Sequence, residues 1–214
     1  ADVRLTAGRE RVRGLVVEDV PERVVWTKKA TIEDAPVPTW VNPGNLVLND
    51  GNAARLNAVF AKAARGERIV IGALGGSITE GAGAQGGVRW ANIVCDWFRK
   101  RFPDAQVEMR NAGIGSTGSL IGALRLRRDL REGLDFVTVD YSVNDKPNEP
   151  CEATMEGCVS QLLADKGRPA VVLVAFGASD GRSEQMRHLS VARHYGLPML
   201  SVRNCVWPAI KSGE

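Results

Sequence analysis

The amino-acid sequence predicts an α/β fold, a three-layer α/β/α sandwich with a mostly parallel sheet, preceded by a short irregular segment with β character. Two patterns indicate this fold. After residue 50, apolar segments of strand length alternate with segments of helical periodicity, at the spacing of crossover connections. Glycines and small polar residues follow the strands, as expected at the sheet edge where active groups gather in such folds.

The N-terminal part of the chain differs from the rest. It carries two short β-like runs, at residues 15–17 and 23–27, and a stretch at 35–45 whose three prolines and glycine preclude a helix. We expect residues 1–50 to form a β or irregular segment packed on a main domain of residues 51–214. A chain of 214 residues is long enough for one such domain with a sizeable core.

The main domain begins with a predicted helix at residues 52–65, with Gly66 standing where the helix would stop. The apolar strand 69–74 follows. Farther along, helices are predicted at residues 90–101, 119–131, 155–165 and 183–195, and strands at residues 106–111, 136–143, 170–176 and 199–202.

Composition narrows the classes of partner and site. The net charge of +3 arises from nearly balanced charges without a block of one sign, so we expect no nucleic-acid partner. No apolar stretch approaches the roughly 20 residues of a membrane span, so we expect no membrane insertion. The four cysteines lack C-x-x-C pairing and indicate no metal site. Buried thiols are the favoured interpretation, and a disulfide between Cys151 and Cys158 is the alternative.

Ser77 is the strongest candidate for a catalytic nucleophile. It comes shortly after the most apolar early strand, and Gly75 and Gly76 before it allow a tight turn that exposes its hydroxyl at the sheet edge. The structural alternative is that Ser77 is a helix N-cap, with Glu80 completing a capping box.

Two further strand ends carry candidate hydrogen-bond donors. Asn144 follows strand 136–143, and Gly113 follows strand 106–111. A side-chain amide and a backbone N–H at adjacent strand ends would form the donor pair that an oxyanion needs. The alternative for Asn144 is a turn or cap without chemistry.

A dinucleotide-binding fingerprint is a competing interpretation of the same region. Residues 113–118 match the pattern G-x-G-x-x-G, follow a strand and open a helix, and Asp140 ends the next strand. However, strand 106–111 alternates polar and apolar residues like an edge strand, whereas the first strand of a dinucleotide fold is central. Nucleotide binding is therefore the third interpretation of function.

The segments around these candidates resemble, in order, the sequence blocks of the SGNH (GDSL-like) hydrolases. GGSITEG, which contains Ser77, is similar to the first block in a GGSIT variant; NAG, which ends at Gly113, resembles the second. VND, which contains Asn144, resembles the third, although Ser142 stands where that block usually has glycine. The resemblance to the family covers roughly residues 45–207, and residues 49–84 and 194–202 are similar to the bacterial branch that includes carbohydrate acetylesterases.

This resemblance implies a serine esterase that uses no cofactor and no metal. Ser77 would attack an ester carbonyl, while the N–H groups of Ser77 and Gly113 and the Asn144 amide would hold the oxyanion. The implied substrates are small acyl esters, acetyl groups on carbohydrate above all. A noncatalytic module that binds such esters or acetylated carbohydrate is the alternative.

The last block of the family, D-x-x-H, supplies the base that activates the serine and the acid that orients the base. It has no match near the end of this sequence. We therefore expect a truncated chain that is inactive without such a segment, or a second polypeptide chain that supplies it. His188, with Asp180 eight residues before it, is the candidate substitute base; a packing histidine is the alternative interpretation.

Overall fold

The computed structural model describes residues 11–12, 15–16, 38–84 and 88–213. The strands are β1 (Arg11–Val12), β2 (Leu15–Val16), β3 (Val47–Asn49), β4 (Arg68–Gly75), β5 (Gln106–Gly113), β6 (Phe136–Asp140), β7 (Ala170–Ala175) and β8 (Met199–Ser201). The helices are α1 (Ala54–Ala64), α2 (Ser77–Glu80), α3 (Trp90–Arg101), α4 (Ser119–Leu130), α5 (Cys151–Leu163), α6 (Gln185–Tyr195) and α7 (Val202–Ser212), and Pro43–Asn45 forms a turn of 3-10 helix.

Six of the described strands form one sheet in the order β3-β8-β7-β6-β4-β5, and β1 pairs with β2. All neighbours in the sheet are parallel except β3, which runs antiparallel to β8. β4 pairs with both β5 and β6, in a register that sets Gly75 beside Gly113 and beside Asp140. The carboxyl ends of these three strands therefore meet at one edge.

Side chains on the two faces of the sheet enter two separate cores. Along β4, Ile69 and Ile71 pack with α1 and α3, whereas Val70 and Leu74 pack with α4, α5 and α6. This alternation is the period of two that a strand buried on both faces requires. Burial of each such aliphatic side chain stabilises the fold by roughly 1.5–3 kcal/mol. The predicted three-layer α/β/α architecture is confirmed.

Most predicted elements of the main domain are found at or near their predicted positions. Helix α3 has the predicted bounds, β4 contains the predicted strand, and β5 lies at the edge of the sheet as its alternating pattern indicated. Two predicted element bounds were wrong by three residues or more. The strand predicted at 136–143 ends at Asp140, because the chain turns at residues 142–144; the helix predicted at 155–165 begins four residues earlier, at Cys151.

Helix α7 was not predicted, and Pro208 lies inside it. The proline lacks the N–H that would bond the carbonyl oxygen of Asn204 four residues before it. That oxygen accepts instead from Asn45 Nδ2 at 3.4 Å, and the next carbonyl, of Cys205, accepts from the N–H of Asn42 at 2.9 Å. The 3-10 turn thus provides the partner that the helix lacks at Asn204, and the residue before the turn adds a bond to the carbonyl of Cys205.

The predicted division of the chain at residue 50 stays a prediction. β3 joins the main sheet although it lies before this boundary. The β-like run at residues 15–17 includes β2, whereas the run at 23–27 lies outside the described residues. In the described part of the chain, no helix has the length and apolar character of a membrane span.

Candidate functional site

Ser77 is the first residue of α2 and directly follows the turn at the end of β4. Gly76 occupies the N-cap position, with φ −88° and ψ −150°, so the alternative of Ser77 as the N-cap was wrong. Ser77 is half-buried, and its carbonyl oxygen accepts from the N–H of Gly81 and of Ala82. Its own N–H is one of the first-turn donors for which a helix has no internal acceptor.

The two glycines before Ser77 are required by close contacts. An added Cβ on Gly75 would lie 2.2 Å from Thr79 Oγ1, and one on Gly76 would lie 2.2 Å from Asn144 Oδ1. The Asn144 side chain therefore lies directly against the residue that precedes Ser77. The structure brings together these two residues, which are far apart in the sequence.

Asn144 is held in place by its neighbours. The carbonyl oxygen of Tyr141 accepts from the N–H groups of Asn144 and Asp145, at 3.0 and 2.9 Å. The buried Asp145 carboxylate then accepts from the N–H of Ser119 at 2.7 Å and contacts His188 Nε2 at 2.8 Å. The turn that carries Asn144 is thus fixed to the start of α4 and to α6.

Gly113 lies close to the site, but its N–H is engaged within the protein. An added Cβ on Gly113 would lie 2.1 Å from the backbone nitrogen of Glu80, so α2 packs directly on the end of β5. The N–H of Gly113 donates to Asn111 Oδ1 at 2.8 Å, and Asn111 Nδ2 donates to the carbonyl oxygen of Thr79 at 2.8 Å. The structure therefore gives the predicted oxyanion donor an internal acceptor.

The backbone after β5 also lies close to Ser77, and some of its N–H groups are not engaged within the protein. The N–H of Ile114 donates to the carbonyl oxygen of Gly75 at 3.1 Å. The next residue, Gly115, is so placed that an added Cβ would lie 3.9 Å from the Cβ of Ser77, and Ser116 has φ +59°. The N–H groups of Gly115 and Ser116 have no acceptor among the described residues.

Neither candidate for a substitute base is hydrogen-bonded to Ser77 in the structure. His188 is 1% exposed, and its Nε2 contacts Asp145. Asp180 lies exposed in the loop after β7, where it accepts from the N–H of Arg182 at 3.0 Å. Within residues 38–84 and 88–213, no side chain is hydrogen-bonded to the Ser77 hydroxyl. His188 Nε2 is thus engaged with Asp145 in this structure, and the role of His188 as a substitute base stays a prediction.

Asp140 is a buried carboxyl behind the site. It is 3% exposed and is hydrogen-bonded by the hydroxyls of Thr79 and Ser142, each at 3.3 Å. Burial raises the pKa of this carboxyl to about 7, although the two hydroxyls oppose the shift. The same contacts disfavour nucleotide binding, because a ribose-binding carboxylate must be accessible.

Sequence reasoning missed Arg125, a buried cation under the strand end. Its Nη2 donates to the carbonyl oxygen of Gly75 and to the Tyr141 hydroxyl, both at 3.1 Å, and its Nη1 donates to Asp129 at 2.7 Å. The side chain is 6% exposed. Gly122 leaves room for this contact, because an added Cβ there would lie 2.5 Å from the Tyr141 oxygen.

All four cysteines are free and buried, as the favoured interpretation predicted. The Cys151 thiol donates to the carbonyl oxygen of Lys146 at 3.0 Å, and the Cys158 thiol to that of Ser119 at 3.3 Å. Among the described residues, no group of histidine, cysteine and carboxylate side chains is suited to a metal ion.

Among proteins of known structure, the chain is similar to an esterase. Two structures of a two-domain esterase (CEX) active on acetylated mannans, one of them co-crystallized with mannopentaose, are 37% identical to this chain, with TM-scores of 0.79 and 0.78. The matches cover 81% of this chain and 48% and 47% of those chains, so this chain spans about half the length of CEX.

A more distant similarity shows the fold alone. AlinE4, an SGNH-hydrolase family esterase, is 18% identical with a TM-score of 0.50, over 62% of this chain and 75% of that one. No match was found among curated proteins.

Residues 73–205 match the GDSL-like Lipase/Acylhydrolase family. Since this match covers more than half of the chain and includes the end of β4, the turn to Ser77 and the ends of β5 and β6, the chain belongs to the GDSL-like lipase/acylhydrolase family.

Proposed function

We propose that the protein is a serine esterase that removes small acyl groups, chiefly acetyl, from carbohydrate. The observation that carries the proposal is the contact of Asn144 with Gly76, which sets a side-chain amide beside Ser77 at the start of α2. Family membership supports ester hydrolysis, and the similarity to CEX, an esterase active on acetylated mannans, supports the choice of substrate.

The reaction proceeds in two steps. Ser77 Oγ attacks the carbonyl carbon of the ester, its proton passes to a base, and the bond to the alcohol oxygen breaks as that oxygen takes up a proton. Water then attacks the acyl-serine, which releases the carboxylic acid and restores the hydroxyl. Each step passes through a tetrahedral oxyanion that hydrogen-bond donors must stabilise.

The donors proposed here are the N–H of Ser77, the Asn144 amide and a backbone N–H from the segment after β5. In that segment the N–H of Gly113 is engaged with Asn111, whereas those of Gly115 and Ser116 have no acceptor among the described residues. The predicted role of Gly113 therefore requires this hydrogen bond to break. The N–H groups of Gly115 and Ser116 require no such change, and Gly115 lies next to Ser77. Each such donor contributes roughly 2.7–4 kcal/mol to transition-state stabilisation.

The base is the component not yet identified, because no described side chain is hydrogen-bonded to the Ser77 hydroxyl. Without a base the serine hydroxyl is a weak nucleophile, although an oxyanion hole and substrate binding alone retain about 10³–10⁴-fold acceleration over water. The expectations of a truncated chain and of a second polypeptide that carries the base both stay predictions. A module that binds acetylated carbohydrate without turnover is the second candidate function.

Hydrolysis of p-nitrophenyl acetate and of acetylated mannan oligosaccharides tests the proposal, together with intact mass after treatment with a serine-reactive phosphonate. One adduct, together with turnover that Ser77→Ala abolishes, supports the esterase and would mean that a base reaches Ser77, from this chain or from a second one. Ser160→Ala, which removes an exposed hydroxyl on α5, is the matched control and should retain both. An adduct that persists in Ser77→Ala contradicts the assignment. Binding of the oligosaccharide without adduct or turnover supports the binding module.

A further inference from the structure

Glu80 holds a carboxylate beside the candidate nucleophile. It is the last residue of α2, three residues after Ser77, and its side chain is exposed. An added Cβ on Gly115 would lie 2.8 Å from Glu80 Oε2 and 3.9 Å from the Cβ of Ser77. The carboxylate and the serine therefore both lie next to the same glycine, where a side chain would collide with the carboxylate.

This carboxylate has no hydrogen bond or ion pair with any residue that the structure describes. The aliphatic part of Arg89 packs against Gly81, the residue after Glu80, yet no ion pair joins Arg89 to Glu80. A negative charge close to a developing oxyanion raises the energy of the transition state. Unless a substrate group contacts it, Glu80 is therefore unfavourable for the proposed reaction.

A role as the base for Ser77 is not supported by geometry. A general base must lie within hydrogen-bond reach of the proton it abstracts. The Ser77 hydroxyl makes no hydrogen bond to Glu80, although both lie on one short helix. The remaining role is contact with the substrate itself, on the side of the site bounded by Gly115.

We propose that the Glu80 carboxylate accepts a hydrogen bond from a free hydroxyl of the alcohol half of the substrate. An ionised carboxylate only accepts, so its partner must be a donor, and a polyhydroxy alcohol such as a pyranose presents hydroxyls next to the esterified oxygen. This inference rests on the proposed function and deepens it: it makes Glu80 a specificity-determining residue that selects carbohydrate esters over esters of simple alcohols.

The test compares two substrates with the same acyl group. Acetylated mannan oligosaccharides carry free hydroxyls near the ester, whereas p-nitrophenyl acetate has none. We expect Glu80→Ala to lower the ratio of kcat/KM for the oligosaccharide to that for p-nitrophenyl acetate about 10- to 100-fold, mainly through KM, as for loss of a hydrogen bond to a charged group. Glu80→Gln, which keeps one acceptor oxygen, should give a smaller decrease.

Glu132→Gln is the matched control, because Glu132 is an exposed glutamate on the loop between α4 and β6, at the opposite end of the sheet. It should keep the wild-type ratio. An equal fall for both substrates in Glu80→Ala overturns the proposal, since it would indicate action on Ser77. An unchanged ratio overturns it too.

A binding measurement separates this proposal from the proposed function. In the Ser77→Ala background, calorimetry with the acetylated oligosaccharide should show at least a tenfold rise in Kd on adding Glu80→Ala. If the wild type has no Ser77-dependent turnover, this rise still supports the contact of Glu80 with carbohydrate while the esterase proposal fails. Binding that is absent, or insensitive to Glu80, overturns the contact.

Discussion

His188 Nε2 lies 2.8 Å from Asp145 Oδ2, and both side chains are almost completely buried. The pair joins α6 to the turn after β6, immediately beside Asn144. Asp145 also caps the start of α4 through the N–H of Ser119. His188 thus supports the turn that carries Asn144, through its contact with Asp145.

His188→Leu should lower the free energy of unfolding by about 1–3 kcal/mol, the cost of leaving a buried acceptor without a partner. His188→Gln, whose amide can donate to Asp145, should recover part of this loss. Urea denaturation measures both changes. Because His188 Nε2 is hydrogen-bonded to Asp145 and not to Ser77, we expect Ser77 to react with the phosphonate in folded His188→Leu as it does in the wild type.

His194→Leu provides the control, since His194 is exposed near the end of the same helix. We expect a change within about 0.5 kcal/mol, as for most surface substitutions. If His188→Leu were as stable as the wild type yet lost all reaction at Ser77, His188 would be the base after all.

Asp140 should make stability depend on pH. Its pKa is about 7 in the folded protein, because of burial, and about 3.9 in an unfolded chain. The folded state therefore binds the proton more tightly. The stability that the protonated carboxyl contributes is fully present below about pH 4, is lost as the pH rises to about 7, and changes little above that. The loss is at most about 4 kcal/mol.

Asp140→Asn removes the ionisable group and keeps an oxygen that can accept from Thr79 or Ser142. Urea denaturation between pH 4.5 and 8, about the interval set by the two pKa values, should show a flatter profile and a variant more stable than the wild type at pH 8. Asp180→Asn, at an exposed loop position, should retain the wild-type profile. A profile of unchanged slope in Asp140→Asn would show that Asp140 is not the group responsible.

The thiols should react slowly in the native state. Burial raises the pKa of Cys158 to about 12 and raises the pKa of Cys95, Cys151 and Cys205 as well. Since the thiolate is the reactive form, Ellman's reagent should modify the folded protein slowly. In guanidinium chloride it should release four equivalents, one for each free cysteine.

Cys158→Ala should reduce the count in denaturant to three. A wild-type count of two without reductant would instead demonstrate a disulfide, contrary to this structure.

The site could be predicted from the sequence where local signals were strong. The apolar run of β4 followed by Gly75, Gly76 and Ser77 specifies a strand, a tight turn and a serine at the strand end within a few residues, so neighbouring residues suffice to predict this part of the site. The position of Asn144 followed from the rule that parallel strands end at one edge. Its direct contact with Gly76 is a finding of the structure.

Features that depend on distant partners could not be predicted. Helix α7 contains a proline, and the side chain of Asn45, some 160 residues away along the chain, bonds the carbonyl that the proline leaves unpaired. The N–H of Gly113 is engaged because Asn111 also bonds the carbonyl of Thr79 on another element. Arginine is mostly exposed in proteins, so the sequence did not indicate that Arg125 is buried. Its burial becomes apparent only from the packing of α4 on β4.

Gly76→Ala tests the contact between Asn144 and the turn before Ser77. The new Cβ would lie 2.2 Å from Asn144 Oδ1, so the amide must move, whereas the negative φ of Gly76 is open to alanine. We expect the rates of acetate hydrolysis and of phosphonate modification at Ser77 to fall about 10²- to 10³-fold, as for the loss of one oxyanion donor. Overpacking should cost about 1–3 kcal/mol of stability.

Gly157→Ala is the matched control, because its Cβ would lie at an ordinary 3.4 Å from Ala123 on a neighbouring helix. It should leave the rates unchanged and leave stability unchanged or raise it by up to about 1 kcal/mol. Asn144→Ala should slow Ser77 to a similar degree as Gly76→Ala. The double variant should be little slower than either one, since both changes remove the same donor. Additive losses would mean that Gly76→Ala acts on Ser77 by a route other than Asn144.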